Sequence, residues 1–271
     1  MKYKLPYHGS NSYKGQVGKV LVVGGSEKYY GAPILTALGA ENSGADLITL
    51  CLPSKHADIA RNYSLNLFVH EFQKDHLSSA DVKAILELAS TQDVLIIGNG
   101  LGEEKEAKKA LLDILSKIKI PVVIDAEGLV PEILDIKHQS DWIVTPHKKE
   151  FERLFNSLPN ENTVQQQAKK YHLTILAKGV TDIIADPSGQ LYQNKTGCAE
   201  MRVGGTGDVL AGIVGSFIGQ KISPFDACCS ATYYWGLSGE ELSKKHKWLT
   251  AHYMARKFSS CVWHALRSHN D

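Results

Sequence analysis

Apolar residues along the chain gather into short continuous runs separated by small, polar or glycine-rich joints. Residues 18–25 (GKVLVVGG), 46–52, 93–97, 121–125, 141–145 and 173–177 each carry such a run. Short runs without polar alternation predict strands covered on both faces, as in parallel sheets. Between them the spacing changes to that of helices. Gly31-Ala32-Pro33 opens one, with Pro33 near the first helical position, and Gly44 ends it. Further helices are predicted over 80–89, after Gly102 with Glu104 and Lys108 spaced i, i+4, from Thr145-Pro146 through Phe155, over 226–239 and over 248–266. Strand–helix alternation makes this an α/β protein built of βαβ units. Two segments, 181–185 and 190–193, are joined through Asp186-Pro187-Ser188-Gly189 and predict a hairpin, so the sheet turns antiparallel near one edge. Residues 53–90 are less legible, apart from the helix over 80–89.

The strongest pattern is Val203-Gly204-Gly205-Thr206-Gly207-Asp208 running into Val209, Leu210, Ile213, Val214, Phe217 and Ile218. The apolar positions define one buried helix face. The glycines then lie at the helix start, where the first N–H groups have no intrahelical partner and the macrodipole is positive. Without side chains in the way, that is an anion cradle suited to phosphate. Asp208 is out of place beside phosphate unless it takes a proton from a hydroxyl or water attacking it. A tight turn followed by an ordinary first-turn acid would leave the same letters. Other strand ends carry comparable clusters: Gly24-Gly25, Gly98 to Gly102, Asp125 to Gly128, Thr145 to His147 and Lys178-Gly179. Together they predict one site assembled beyond the carboxyl ends of many strands. The loop GNGLG breaks the dinucleotide fingerprint, which disfavours a dehydrogenase.

Composition narrows the field further. The 271 residues are 43% hydrophobic and 22% charged, with a net charge of +1 and no dense basic run, so nothing points to nucleic acid. Five scattered cysteines without CxxC spacing fit a reducing, cytoplasmic setting and no zinc site; Cys228 and Cys229 are expected in the core. No apolar stretch approaches a membrane span.

In this order, GKVLVVGGSEKYYGAP, GNGLG, VVIDAEGL, VTPHKKEF, ILAKGVTDII and GGTGDVLAGI resemble the ADP/ATP-dependent NAD(P)H-hydrate dehydratase family, over roughly residues 14–245. The resemblance implies a ribokinase-like three-layer α/β/α fold, with residues 1–271 as one domain and no fused epimerase domain. It implies a lyase that repairs hydrated NADH or NADPH. ADP or ATP phosphorylates the C6 hydroxyl, and phosphate then leaves to restore the dihydropyridine. Asp208 would be the base, and the N–H groups of Gly205, Thr206 and Gly207 the anion hole. Ala32, Gly100, His147 and Asp208 would line the substrate pocket. Lys178, Gly179, Val180, Thr181, Asp182 and Gly207 would face the nucleotide. Mg²⁺ is expected through phosphate and water with no protein ligand set, and the assembly is expected to be a homo-oligomer.

Asn99, Glu127, Gly128 and Arg202 depart from the family pattern, in which proline, Asp, Ala and a small residue are usual at these places. None is expected to touch the base, and Arg202 bears on the nucleotide loop. Two other readings remain at this point: a kinase of a small alcohol such as a thiamine precursor, and a nucleotide-binding sensor without turnover.

Overall fold

The computed structural model describes residues 3–6, 13–15 and 18–268. Strands β1 (Lys19–Val23), β2 (Leu47–Pro53), β3 (Leu67–Phe72), β4 (Val94–Ile97), β5 (Val122–Ile124), β6 (Trp142–Val144), β7 (Thr174–Ala177), β8 (Asp182–Ala185) and β9 (Leu191–Asn194) form one sheet. Their order is β3-β2-β1-β4-β5-β6-β7-β8-β9. Pairing is parallel from β3 through β7, with Val22 opposite Ile96 at the β1–β4 contact, and antiparallel across β7–β8 and β8–β9. The predicted hairpin is therefore present. The order reverses between β1 and β4, and a crevice opens at such a switch point beyond the strand ends.

Successive strand residues feed two cores, as the period of two requires. Val20, Val22, Leu50, Ile96, Val123 and Ile143 face one core. Leu21, Val23, Cys51, Ile97, Ile124 and Val144 face the other. The first is covered by α1 (Gly31–Glu41), α7 (Thr206–Gly219), α8 (Pro224–Ser243) and α9 (Ala251–Ser268). The second is covered by α3 (Val82–Ala89), α4 (Lys105–Lys117), α5 (Lys148–Phe155) and α6 (Glu161–Tyr171). This is the three-layer arrangement expected from uninterrupted apolar strands. Cys228 and Cys229 lie in the first core as expected, where burial pushes both thiols well above their ordinary range. No described helix is long and apolar enough to cross a membrane.

Helices α1 and α7 run side by side, in close backbone contact. A Cβ at Gly39 would collide with the Val209 carbonyl, and one at Gly212 with the Thr36 carbonyl. The predicted single apolar face of α7 is too narrow a description. Every residue from Val209 to Gly219 is buried, because α1, α8 and the sheet enclose the helix. Other differences are local. Residues 53–79 hold α2 (Ala57–Tyr63) and the edge strand β3, whose side chains are mostly exposed or half-buried. Lys108 pairs with Glu132 at 2.6 Å rather than with Glu104. Helix α8 is longer than predicted, and α9 begins after Thr250, whose hydroxyl accepts from Tyr253 N–H at 3.1 Å.

Candidate active site

The loops after β1, β4, β5, β6 and β7 converge on the first turn of α7. Gly205 precedes that turn with a left-handed φ of 94°. The position requires glycine twice over, since a Cβ would also strike Leu35 of α1. The first helical bond runs from Val209 N–H to the Gly205 carbonyl at 3.1 Å. The N–H groups of Gly205, Thr206 and Gly207, with that of Asp208, come before it and have no backbone partner among the described residues, so they can receive an anion.

Asp208 is held from the side. Asn99, in the loop after β4, donates its amide N–H to Asp208 Oδ1 at 2.7 Å and to Asp125 Oδ2 at 2.9 Å. This overturns the expectation that none of the departing positions touches the base. Asp125, at the end of β5, also accepts from Thr145 Oγ1 at 2.7 Å and from Lys178 Nζ at 2.6 Å. The β4 and β5 ends touch backbone to backbone, for a Cβ at Gly98 would overlap the Asp125 carbonyl. Next to Asp125, Ala126 takes a left-handed φ of 52°, an uncommon backbone for a residue with a Cβ.

Burial is the main reason the Asp208 carboxyl is pushed up to about 7, with the Asp125 charge adding to it; the Asn99 bond and the Lys178 charge work the other way. Burial pulls the Lys178 ammonium down, but Asp125 and Glu150 hold it above its ordinary value. Glu127, whose Oε2 accepts the Gly100 N–H at 2.9 Å, is raised chiefly by burial. Glu150 is raised for the same first reason.

The structure brings the predicted nucleotide residues together. Lys178, Gly179, Val180 and Asp182 share a cleft of about 470 Å³ with Thr206 and Gly207, and Thr181 lies in the same turn. Asp182 closes that turn by accepting the Gly179 N–H at 3.0 Å. Leu210, Trp235 and Met201 give the cleft an apolar wall, and Arg202 lines it. Lys178 Nζ lies 3.2 Å from where a Gly207 Cβ would stand, so this lysine reaches the anion cradle. On the other side, Gly100 (φ 72°) packs against Ala32, the first turn of α1.

His147 is the N-cap of α5, so that helix starts later than Thr145-Pro146 suggested. Its Nδ1 accepts the Glu150 N–H at 3.1 Å, and Glu150 Oε2 accepts the His147 N–H at 2.7 Å. Thr145 is thereby released from capping and serves Asp125. A backbone bridge places His147 beside Lys178. Asn99 and Thr145 are the polar partners that sequence reasoning did not assign. The one signal for Asn99 was its departure from the family pattern.

An acid poised near neutrality beside unpaired helix N–H groups and a buried lysine is suited to activating a hydroxyl toward a phosphoryl group. The fold around it is ribokinase-like: the crystal structure of a ribokinase-like superfamily protein from Enterococcus faecalis matches with a TM-score of 0.84 at 26% identity, over 94% of this chain and 90% of that one. A family model described as NAD(P)H-hydrate dehydratase matches residues 20–259. The chain is 37% identical over 254 residues to the ADP-dependent (S)-NAD(P)H-hydrate dehydratase of Nitrosopumilus maritimus, covering 90% of this chain and 88% of that protein. It is also 37% identical over 235 residues to the bifunctional NAD(P)H-hydrate repair enzyme Nnr of Archaeoglobus fulgidus, spanning 87% of itself and about half (48%) of that longer relative. The crystal structure of ADP/ATP-dependent NAD(P)H-hydrate dehydratase from Bacillus subtilis, co-crystallised with ATP and Mg²⁺, has the same fold: TM-score 0.84, 24% identity, 96% of this chain and 94% of that one. The chain belongs to the NAD(P)H-hydrate dehydratase family. That membership decides against the small-alcohol kinase reading.

Proposed function

We propose that this protein uses an adenine nucleotide to dehydrate hydrated NADH or NADPH, with ADP as the donor. The observation that carries the reading is Asp208, raised to about 7 and placed in the first turn of α7 between the nucleotide cleft and the Ala32–Gly100 wall. The Asp208 carboxylate takes the proton of the substrate's C6 hydroxyl. The freed oxygen attacks the terminal phosphorus of the nucleotide, and a phosphate ester forms. The N–H groups of Gly205, Thr206 and Gly207 hold the transferring phosphoryl oxygens, and Lys178 offsets their charge. The ester then leaves as inorganic phosphate with loss of a ring proton, which restores the dihydropyridine. Phosphorylation is needed because hydroxide is a poor leaving group. With ADP the balance is AMP, phosphate and NAD(P)H.

Among the described residues no cluster of three His, Cys, Asp or Glu side chains is set to hold a metal. Asp125 and Asp208 are already engaged by Lys178 and Asn99. A Mg²⁺ ion would accordingly arrive with the nucleotide, on phosphate oxygens and water, where it would neutralise phosphate charge. Gly179 to Asp182 and the apolar wall receive the nucleoside. We place the enzyme in the cytoplasm, as a homo-oligomer.

The test is to incubate the protein with hydrated NADH, Mg²⁺ and either ADP or ATP and follow the return of dihydronicotinamide absorbance. Recovery with ADP, accompanied by AMP and phosphate, is expected. No recovery with either nucleotide overturns the reading.

A further inference from the structure

Asn99 is 1% exposed, and its amide N–H₂ group has one carboxylate on each side. Its backbone is fixed independently of its side chain. The Asn99 carbonyl accepts the Gly25 N–H at 2.9 Å, which ties the β4 loop to the β1 loop at the switch point. Gly98 and Gly100, on either side, both have positive φ. The amide is thus carried on a rigid mount and aimed at the two acids. Its other end is left unserved: Asn99 Oδ1 is buried and has no hydrogen-bond partner among the described residues. An unpaired buried acceptor is costly, and native structures keep few. A leucine of similar size would avoid that cost. What the amide supplies in return is two hydrogen bonds to carboxylates, the stronger, charge-assisted kind.

We infer that Asn99 is a positioning residue, whose amide separates the Asp125 and Asp208 carboxylates and leaves Asp208 Oδ2 as the oxygen that receives the substrate's proton. This rests on Asp208 being the base. Asp208 Oδ1 is occupied by Asn99, whereas no described residue donates to Oδ2, and Oδ2 is not sealed from solvent. The groups facing Asp208 come from three strand ends: Asp125 and Glu127 after β5, Lys178 after β7, and Asn99 after β4. Two of the charged three repel its negative charge and one attracts it. Asn99 is the neutral partner between the two carboxylates, and its bond to Asp208 favours the charged form, against the burial and the neighbouring acids that favour the protonated one.

The test compares wild type with Asn99→Leu, which keeps size and removes the donor. In kcat/KM for hydrated NADH at saturating ADP, the acid limb should move up by about one pH unit or more, with roughly tenfold less activity near neutrality and recovery at alkaline pH. A loss equal at all pH values, or no loss, overturns the inference. Asn99→Ala serves if the leucine variant does not fold. A readout free of turnover is the carbon-13 carboxyl resonance of Asp208, assigned with Asp208→Asn. Its titration midpoint should rise in the Asn99 variant, and an unchanged midpoint overturns the role given to Asn99. If Asp208→Asn retains full turnover, the base assignment fails, while the carboxyl titration still decides the Asn99 contact.

Discussion

Lys178 Nζ lies 2.6 Å from Asp125 Oδ1, and the two side chains are only 17% and 2% exposed. Removing one member of a buried pair leaves the other uncompensated. Lys178→Met should therefore lower stability by about 3–5 kcal/mol, measured by urea denaturation. It should also weaken adenine-nucleotide binding, since the same ammonium reaches the Gly207 cradle. Wild-type stability in the variant would show that Asp125 does not depend on this partner.

Asp208→Asn removes the proposed base and keeps the shape of the first turn of α7. Turnover of hydrated NADH should fall by roughly 10²-fold or more. Nucleotide affinity, read by calorimetry, should change little. Near-normal turnover would mean that another group accepts the proton.

Activity should follow the ionised fraction of Asp208. Because its carboxyl is raised to about 7, kcat/KM should climb as pH rises through that value. Below it, the rate should fall about tenfold per pH unit. A flat profile down to about pH 5 would contradict the assignment.

The same residue has a stability signature of defined sign. Its carboxyl is raised from 3.8 in the ordinary state to about 7 in the fold. The folded chain thus holds a proton that the unfolded chain has released, and stability is lost as pH rises from about 4 to about 7. Asp208→Asn should be more stable than wild type at about pH 8, with the advantage gone by about pH 4. Denaturation midpoints at the two pH values check this. A constant difference would assign it to packing.

Gly205→Ala forces a Cβ into a left-handed backbone and against Leu35. A loss of about 1–3 kcal/mol is expected by thermal unfolding. Leu35→Ala in the same chain should recover only part of it, because the backbone cost remains.

The interior strands were legible because β1, β4, β5, β6 and β7 are covered on both faces and leave unbroken apolar runs. Strand β3 was not. It lies at the sheet edge, and LFVHEF mixes exposed and half-buried positions, so its pairing with β2 comes from tertiary contact. In the site, Gly205 to Asp208 could be read locally, since a helix start and its anion cradle span a few consecutive residues. The Asn99–Asp208 bond joins residues 109 apart in the chain, and no periodicity records such a contact. Thr145 was misread for a related reason. His147 and Glu150 form a capping box of their own, in which histidine takes the place usually held by Ser or Thr.

The glycine crossing of α1 and α7 has a mechanical consequence. Ala32 begins one helix and Asp208 begins the other, and the shafts are locked by Leu35 against Gly205, Gly39 against Val209 and Gly212 against Thr36. The substrate wall and the acid are two prongs of a single fork. The Gly39–Val209 and Gly212–Thr36 contacts are made to backbone carbonyls behind the prongs and gauge their gap, so a methyl group added at Gly39 would widen the bite without touching anything held in it.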